Sequence, residues 1–324
     1  MTATITPTRW VQAIRREYLE SFVREGGAAI KFCVPLDGEA RARTWNWLSQ
    51  AGQELGYAVV KVDASETKVN LVDKLFFSIA AQIDWPGLSE RVLNRLCEQT
   101  GYLLPEASEM SFCERVAERN RISADIVKIN LEQALGEEVL RRRDLAKDFR
   151  MAMTRLCLAR LRGGADAPIT IRALTEWLTG RNLNVSAVKQ HQIFNRITRT
   201  NARRLLESLI HWVRLAGFPG TLVLLDVARL AVAKNPRDDR PFYNNAMLLD
   251  AFEVLRELVD STDWLTQCLI AVLPDSSFLD ETSGRGIASY QALELRIKDD
   301  VRTKEVVNPM AALVRLSTNA PEAY

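Results

Sequence analysis

The chain has 324 residues, 47% hydrophobic and 26% charged, the mix of a globular protein with a sizeable core. No apolar run approaches the roughly 18–20 residues that span a membrane, and the N-terminus has no apolar stretch of signal-peptide type. Five scattered cysteines, no CxxC and two histidines speak against a zinc site or a disulfide framework and fit a reducing cytoplasm.

Residues 7–26 read as a helix: Thr6 caps it, Pro7 takes the first position, and Trp10, Ile14, Tyr18 and Phe22 fall four apart on one face. Gly26-Gly27 ends it. AAIKFCV (28–34) has strand length, PLDGEA (35–40) reads as a loop, and 41–55 as a helix with Trp45, Leu48 and Leu55 inward. Gly56 closes that helix, YAVVKVDA (57–64) reads as a second strand, and Leu71 to Ile83 is helical. This order is a βαβ unit, so a parallel sheet is predicted. From Pro86 to Leu215 the periodicity is helical, broken at Gly101, Gly163-Gly164 and Gly180. GTLVLLDV (220–227) is then an uninterrupted apolar run, typical of a strand buried on both faces. After it come a polar loop (234–241), a helix (Asn245–Ser261), another buried strand (265–274) and a last helix around 288–297, with a frayed tail. The expected organisation is 1–85 and 216–300 as two halves of one α/β domain, 86–215 as a helical insertion, and 301–324 as a tail.

The first strand, loop and helix occupy the place of a phosphate-binding P-loop. A working loop, GxxxxGK[ST], wraps phosphates with backbone N–H groups, meets them with lysine and holds Mg²⁺ with its hydroxyl. The best register on VPLDGEARART (34–44) puts Arg43-Thr44 at Lys-Ser/Thr, with Asp37 and Ala42 on the two glycines and Gly38 one place late. Thr44 keeps the metal-binding hydroxyl. Arg43 keeps the charge, but its planar fork does not replace a compact ammonium. Asp37 and Glu39 put negative charge where phosphate would bind. LVLLDVARL (222–230) has the shape of a Walker B strand ending at Asp226, yet Val227 and Ala228 follow where a water-activating Glu would stand. Both halves of the site are altered, so hydrolysis is expected to be lost. Purely structural roles are also open: Asp226 as a turn cap, Arg43 as a surface residue, Thr44 in helix packing, Gly38 in turn geometry.

A series of blocks in order resembles the P-loop ATP-binding proteins of BREX-type bacterial phage-defence systems, the BrxC/BrxD-like group. They are REYLESFVREGG (16–27) leading into AAIKFCV, GYAVVKVDASE (56–66), LVDKLFFSIA (71–80), ALTEWLTG (173–180), NARRLLESLIHWVRLAGFPGTLVLLDV (201–227) and RGIASYQALELRI (285–297). The resemblance implies an α/β P-loop NTPase fold of AAA+/ORC-like type with a large helical insertion, and a place in a multi-protein defence assembly. It also puts Arg285 and Arg296 in the region of sensor arginines. The chain departs from the family pattern at Asp37, Ala42 and Arg43, in the lone Asp226, and in its short run past the RGIASY block.

Charge is unevenly spread. Between Arg141 and Leu215 there are 16 Lys/Arg against 5 Asp/Glu, about +11 within a chain of net +2. Arg141, Arg142 and Arg143, and later Arg196, Arg199, Arg203 and Arg204, suit an acidic partner; the steps from 196 to 199 and from 199 to 203 put the second group near one helix face. DNA phosphates are one such partner; an acidic protein, or solubility alone, are the others. His191 and His211 lack companions at catalytic or metal spacing, and no metal is expected. The reading is therefore a non-catalytic pseudo-ATPase adaptor or scaffold in a BREX-like complex. ATP/Mg is not expected as a cofactor. Partners are other defence proteins (an ATPase or helicase subunit) and DNA, with an oligomer open and no membrane. Two alternatives stand beside it: an ATP-binding subunit whose site a neighbour completes, and a stand-alone basic DNA-binding protein.

Overall fold

The computed structural model describes residues 3–106, 108, 110–182, 184–232, 242–298 and 307–321, with the side chains of 231 and 232 left aside. The polar loop expected at 234–241 lies outside the described residues. Two compact units emerge, one formed by 1–75 with 218–324 and the other by 76–217.

In the α/β unit, five parallel strands are ordered β2-β3-β4-β1-β5, with β1 at Ala28–Pro35, β2 at Ala58–Asp63, β3 at Thr221–Asp226, β4 at Cys268–Leu273 and β5 at Leu313–Leu316. β3 and β4 are buried along nearly their whole length, as their unbroken apolar sequence requires when both faces are covered. Helix α1 (Pro7–Ile14) and helix α2 (Gly38–Glu54) cover one face: Trp10, Ile14, Leu48 and Ala51 cluster there with Cys33, Leu222, Leu224, Leu269, Ala271 and Leu273. The other face carries Phe32, stacked 6.0 Å from Phe278, which meets Phe252 edge-on.

Three expectations are corrected here. The N-terminal helix packs Tyr18, half-buried, against the core with Trp10 and Ile14 but does not keep Phe22 inside, because residues Arg15–Phe22 are wound as a π-helix. That winding adds a residue to the turn, so burial steps from Ile14 to Leu19 and Val23 while Phe22 is left 46% exposed. The stretch PLDGEA is not a loop: β1 runs to Pro35 and α2 starts at Gly38. The tail is not frayed where it is described. β5 pairs with β1 from Phe32↔Leu313 to Pro35↔Leu316, and Ile5 brackets it through hydrogen bonds with Arg315 and Ser317. Four residues are too few to display a period, so this strand had no signature of its own.

The helical unit continues α3 (Val72–Ala80) with α4 (Trp85–Gln99), α5 (Phe112–Asn120), α6 (Ala124–Leu135), α7 (Lys147–Arg162), α8 (Ala167–Leu178), the short α9 (Ser186–Lys189) and α10 (Arg199–Leu215). No strand occurs among its described residues. Trp85, Phe149 and Trp212 are fully buried in it. Back in the α/β unit, β3 leads to a short α11 (Arg229–Val232), α12 (Asn245–Asp260) precedes β4, and α13 (Gln291–Ile297) precedes β5.

Candidate functional site

The chain crosses from β1 to β2 through α2 on one face, and from β3 to β4 and on to β5 through α12 and α13, which pack together on the other. The crossovers from β1 and β4 thus leave on opposite faces. Their carboxyl ends frame the crevice in which open α/β sheets bind ligands. Three pieces meet there: the turn from β1 into α2, the end of β3 at Asp226, and the end of β4 at Leu273-Pro274.

That turn is only Leu36 and Asp37. Asp37 is the N-cap of α2, taking the Ala40 N–H at 2.7 Å on one carboxylate oxygen. Its other oxygen accepts from the Thr318 N–H at 3.1 Å and from the hydroxyls of Thr318 and Ser317. Burial pushes its pKa up, but these hydrogen bonds outweigh that and hold it below the ordinary carboxylate value. A charged carboxylate therefore already occupies the helix N-terminus, where an anion would otherwise bind. Gly38 is the first helical residue, has no positive φ, and a Cβ there would meet nothing within 4 Å. It does no work that only glycine can do.

Arg43 and Thr44 lie in the second turn of α2. Arg43 pairs with Glu39 one turn back and lies 5.7 Å from the Trp47 ring. Thr44 is fully buried, and its hydroxyl donates to the Ala40 carbonyl at 2.6 Å. The two-residue turn moves both past the position a Lys-Ser/Thr pair would hold.

The cation that does reach the crevice is Arg41. Its guanidinium donates to both Asp226 oxygens at 3.0 Å and to the Leu273 carbonyl at 3.3 Å, and also bonds the Pro274 carbonyl. Both side chains are 23% exposed. Asp226 further accepts from the Ala228 N–H at 2.9 Å, so the carboxylate is shared between the arginine and its own turn. Beneath the pair, burial raises the pKa of Cys33 far above the usual thiol range, so this is no reactive cysteine. The motif register points to Arg43 and leaves Arg41 unmarked in the sequence. Its usable signal was position: it stands one helical turn after the capping Asp37, on the side facing the strand ends.

Arg285 and Arg296 also serve the fold. Arg285 spans the Asn245 side chain and the carbonyls of Leu230 and Tyr243 at 2.7–3.0 Å. Arg296 pairs with Asp260 at 2.5 Å, within a network that joins α12 and α13 through Arg256, Glu253 and Tyr290. The basic residues of the helical unit divide differently. Arg142 is held by Asp144 through two nitrogens, and Arg203 and Arg204 share the buried Glu207. Arg141, Arg143, Arg196 and Arg199 are exposed. Arg196 is not on a helix face with Arg199, because α10 starts only at Arg199. Asn201 turns back over the preceding residues, accepting from Thr198 N–H and donating to the Arg196 carbonyl.

The fold is thus that of an open, doubly wound α/β protein whose strand-end crevice is bridged from within and whose β2–β3 crossover is a helical unit. A model of the family of BREX system ATP-binding proteins BrxC/D matches residues 8–323. The chain belongs to that family, and with it to a phage-defence system. No curated protein and no solved structure matches it.

The family description raises the question of whether the crevice fits ATP and Mg²⁺. Its residues do not fit in the P-loop manner. The loop lacks the length to wrap a phosphate, an acid caps the helix, the one hydroxyl in register is buried against a carbonyl, and the strand-end carboxylate is already matched by Arg41.

Proposed function

We propose that the protein is a non-catalytic, adaptor-like member of its defence assembly, in which the α/β unit is a rigid platform. The observation that carries this reading is the Arg41–Asp226 pair. An internal guanidinium stands where a metal ion and a phosphate would be needed, and the β1–α2 turn is too short to replace it. The partners are other proteins of the same defence system, an ATPase or helicase among them. Titration calorimetry of the nucleotide-free protein with Mg·ATP tests the reading. No binding at millimolar ATP is expected, while micromolar binding would overturn it.

A second reading is favoured by the same arginine and by the family's ATP-binding description. Here Arg41, not Arg43, leaves Asp226 to meet a phosphate, with a neighbouring subunit completing the site. The two readings separate on Arg41→Ala. In the second, the wild type binds ATP and the variant loses binding; in the first, neither binds.

A further inference from the structure

The helical unit gathers its basic residues from three segments that lie far apart in sequence. Arg204 donates to the Arg143 carbonyl at 3.2 Å, and the Ala146 N–H donates to Ser208 of α10 at 2.9 Å, so the stretch 141–147 lies along the first turns of α10. Asn195 donates to Asp148 at 2.8 Å, which brings the segment before α10 to the start of α7. One face therefore holds Arg141, Arg143, Lys147, Arg196 and Arg199, all exposed, with Arg203 and Arg204 at its edge. Of the acids near them, Asp144 is paired with Arg142 and Glu207 with Arg203 and Arg204, Asp148 accepts from the Asn195 amide, and Glu138 acts on the charge of Arg142.

Among the described residues, Arg141, Arg143, Arg196 and Arg199 form no ion pair. Arg196 and Arg199 stand at the N-terminal end of α10, where the helix dipole disfavours positive charge, and no acid occupies its first turn. Thr198 and Thr200 are exposed beside them and add small polar donors. Phe194 and Leu140 are exposed large apolar side chains nearby, too few and too scattered for the apolar centre that a protein interface of comparable charge would present. A row of arginines with interspersed hydroxyls and little apolar surface matches a phosphate backbone, and the lack of several stacking aromatics favours a duplex over a single strand.

We propose that this face binds the backbone of duplex DNA without reading its sequence, independently of the state of the strand-end crevice. The test is fluorescence anisotropy of a labelled 30-base-pair duplex with the full chain across a KCl series. About five phosphate contacts predict a slope of log affinity against log salt of about −4 to −5. Arg196→Glu with Arg199→Glu removes two contacts and should weaken binding at least ~10-fold and flatten the slope by about 2. Circular dichroism should be unchanged, since neither side chain is paired. Arg24→Glu, exposed in the other unit, should bind as the wild type does. Absence of binding at 50 mM KCl would overturn the proposal, as would a double variant that binds like the wild type. Displacement of the duplex by polyglutamate at equal charge would also overturn it, and would point to an acidic protein as the partner.

Discussion

The two units spend their charges in opposite ways. In the α/β unit the arginines at functional-looking positions are consumed internally: Arg41 on Asp226 and two strand-end carbonyls, Arg285 on two carbonyls and an amide, Arg296 on Asp260. In the helical unit, Arg141, Arg143, Arg196 and Arg199 are exposed and form no ion pair among the described residues. The difference teaches that a cation's place along a motif says little until its partner is known. A guanidinium with a carboxylate and carbonyls around it supports structure. One held at the wrong end of a helix dipole, with nothing to pair with, is available to a ligand.

The comparison breaks most readily at Arg41. Arg41→Ala leaves Asp226 partly buried with no counter-charge, and should cost about 2–3 kcal/mol in urea unfolding. That is less than for a fully buried pair, because both groups keep some solvent. Removing Asp226 as well should recover much of the loss. An Arg41→Ala variant as stable as the wild type would show that the pair does not hold the sheet ends.

Lys31 sharpens the same point through pH. It is buried on β1, donates to the Met310 carbonyl and lies 4.5 Å from the Tyr18 ring. Burial lowers its pKa from 10.5 to about 8. The folded state therefore gives up this proton before the unfolded chain does, and stability should rise with pH between about 8 and 10.5, by at most about 1.4 kcal/mol per pH unit. In Lys31→Met that rise should disappear from unfolding curves recorded across this window. If it persists, another group is responsible.

Thr44→Val should cost no more than about 1 kcal/mol, the value of one intrahelical hydroxyl bond, and should leave Mg²⁺ affinity as it was. A loss of Mg²⁺ affinity in that variant would restore Thr44 as a ligand. The smallest effect is expected on the other side of the comparison. Arg199→Ala should stabilise the protein by a few tenths of a kcal/mol by removing a cation from a helix N-terminus. A measurable destabilisation would mean that this arginine serves the fold after all.

Periodicity and apolar runs in the sequence determined the strands at 28–34, 57–64, 220–227 and 265–274, each within three residues of its observed start, the helices between them and the all-helical stretch near 86–215, because burial on one or two faces writes itself directly into residue order. The same reading identified Asp226 as a strand-end acid and saw that the P-loop glycines and lysine were missing. Only the tertiary structure decided what replaced them. Asp226 is 185 residues from Arg41 in the chain, and no local pattern encodes a pair that forms only when α2 packs over the ends of β3 and β4. For the same reason β5, the shift of burial from Phe22 to Val23, and the gathering of Arg141–Arg143 with Arg196–Arg204 were invisible in sequence. Each depends on which distant segments meet, and that is set by how the layers pack.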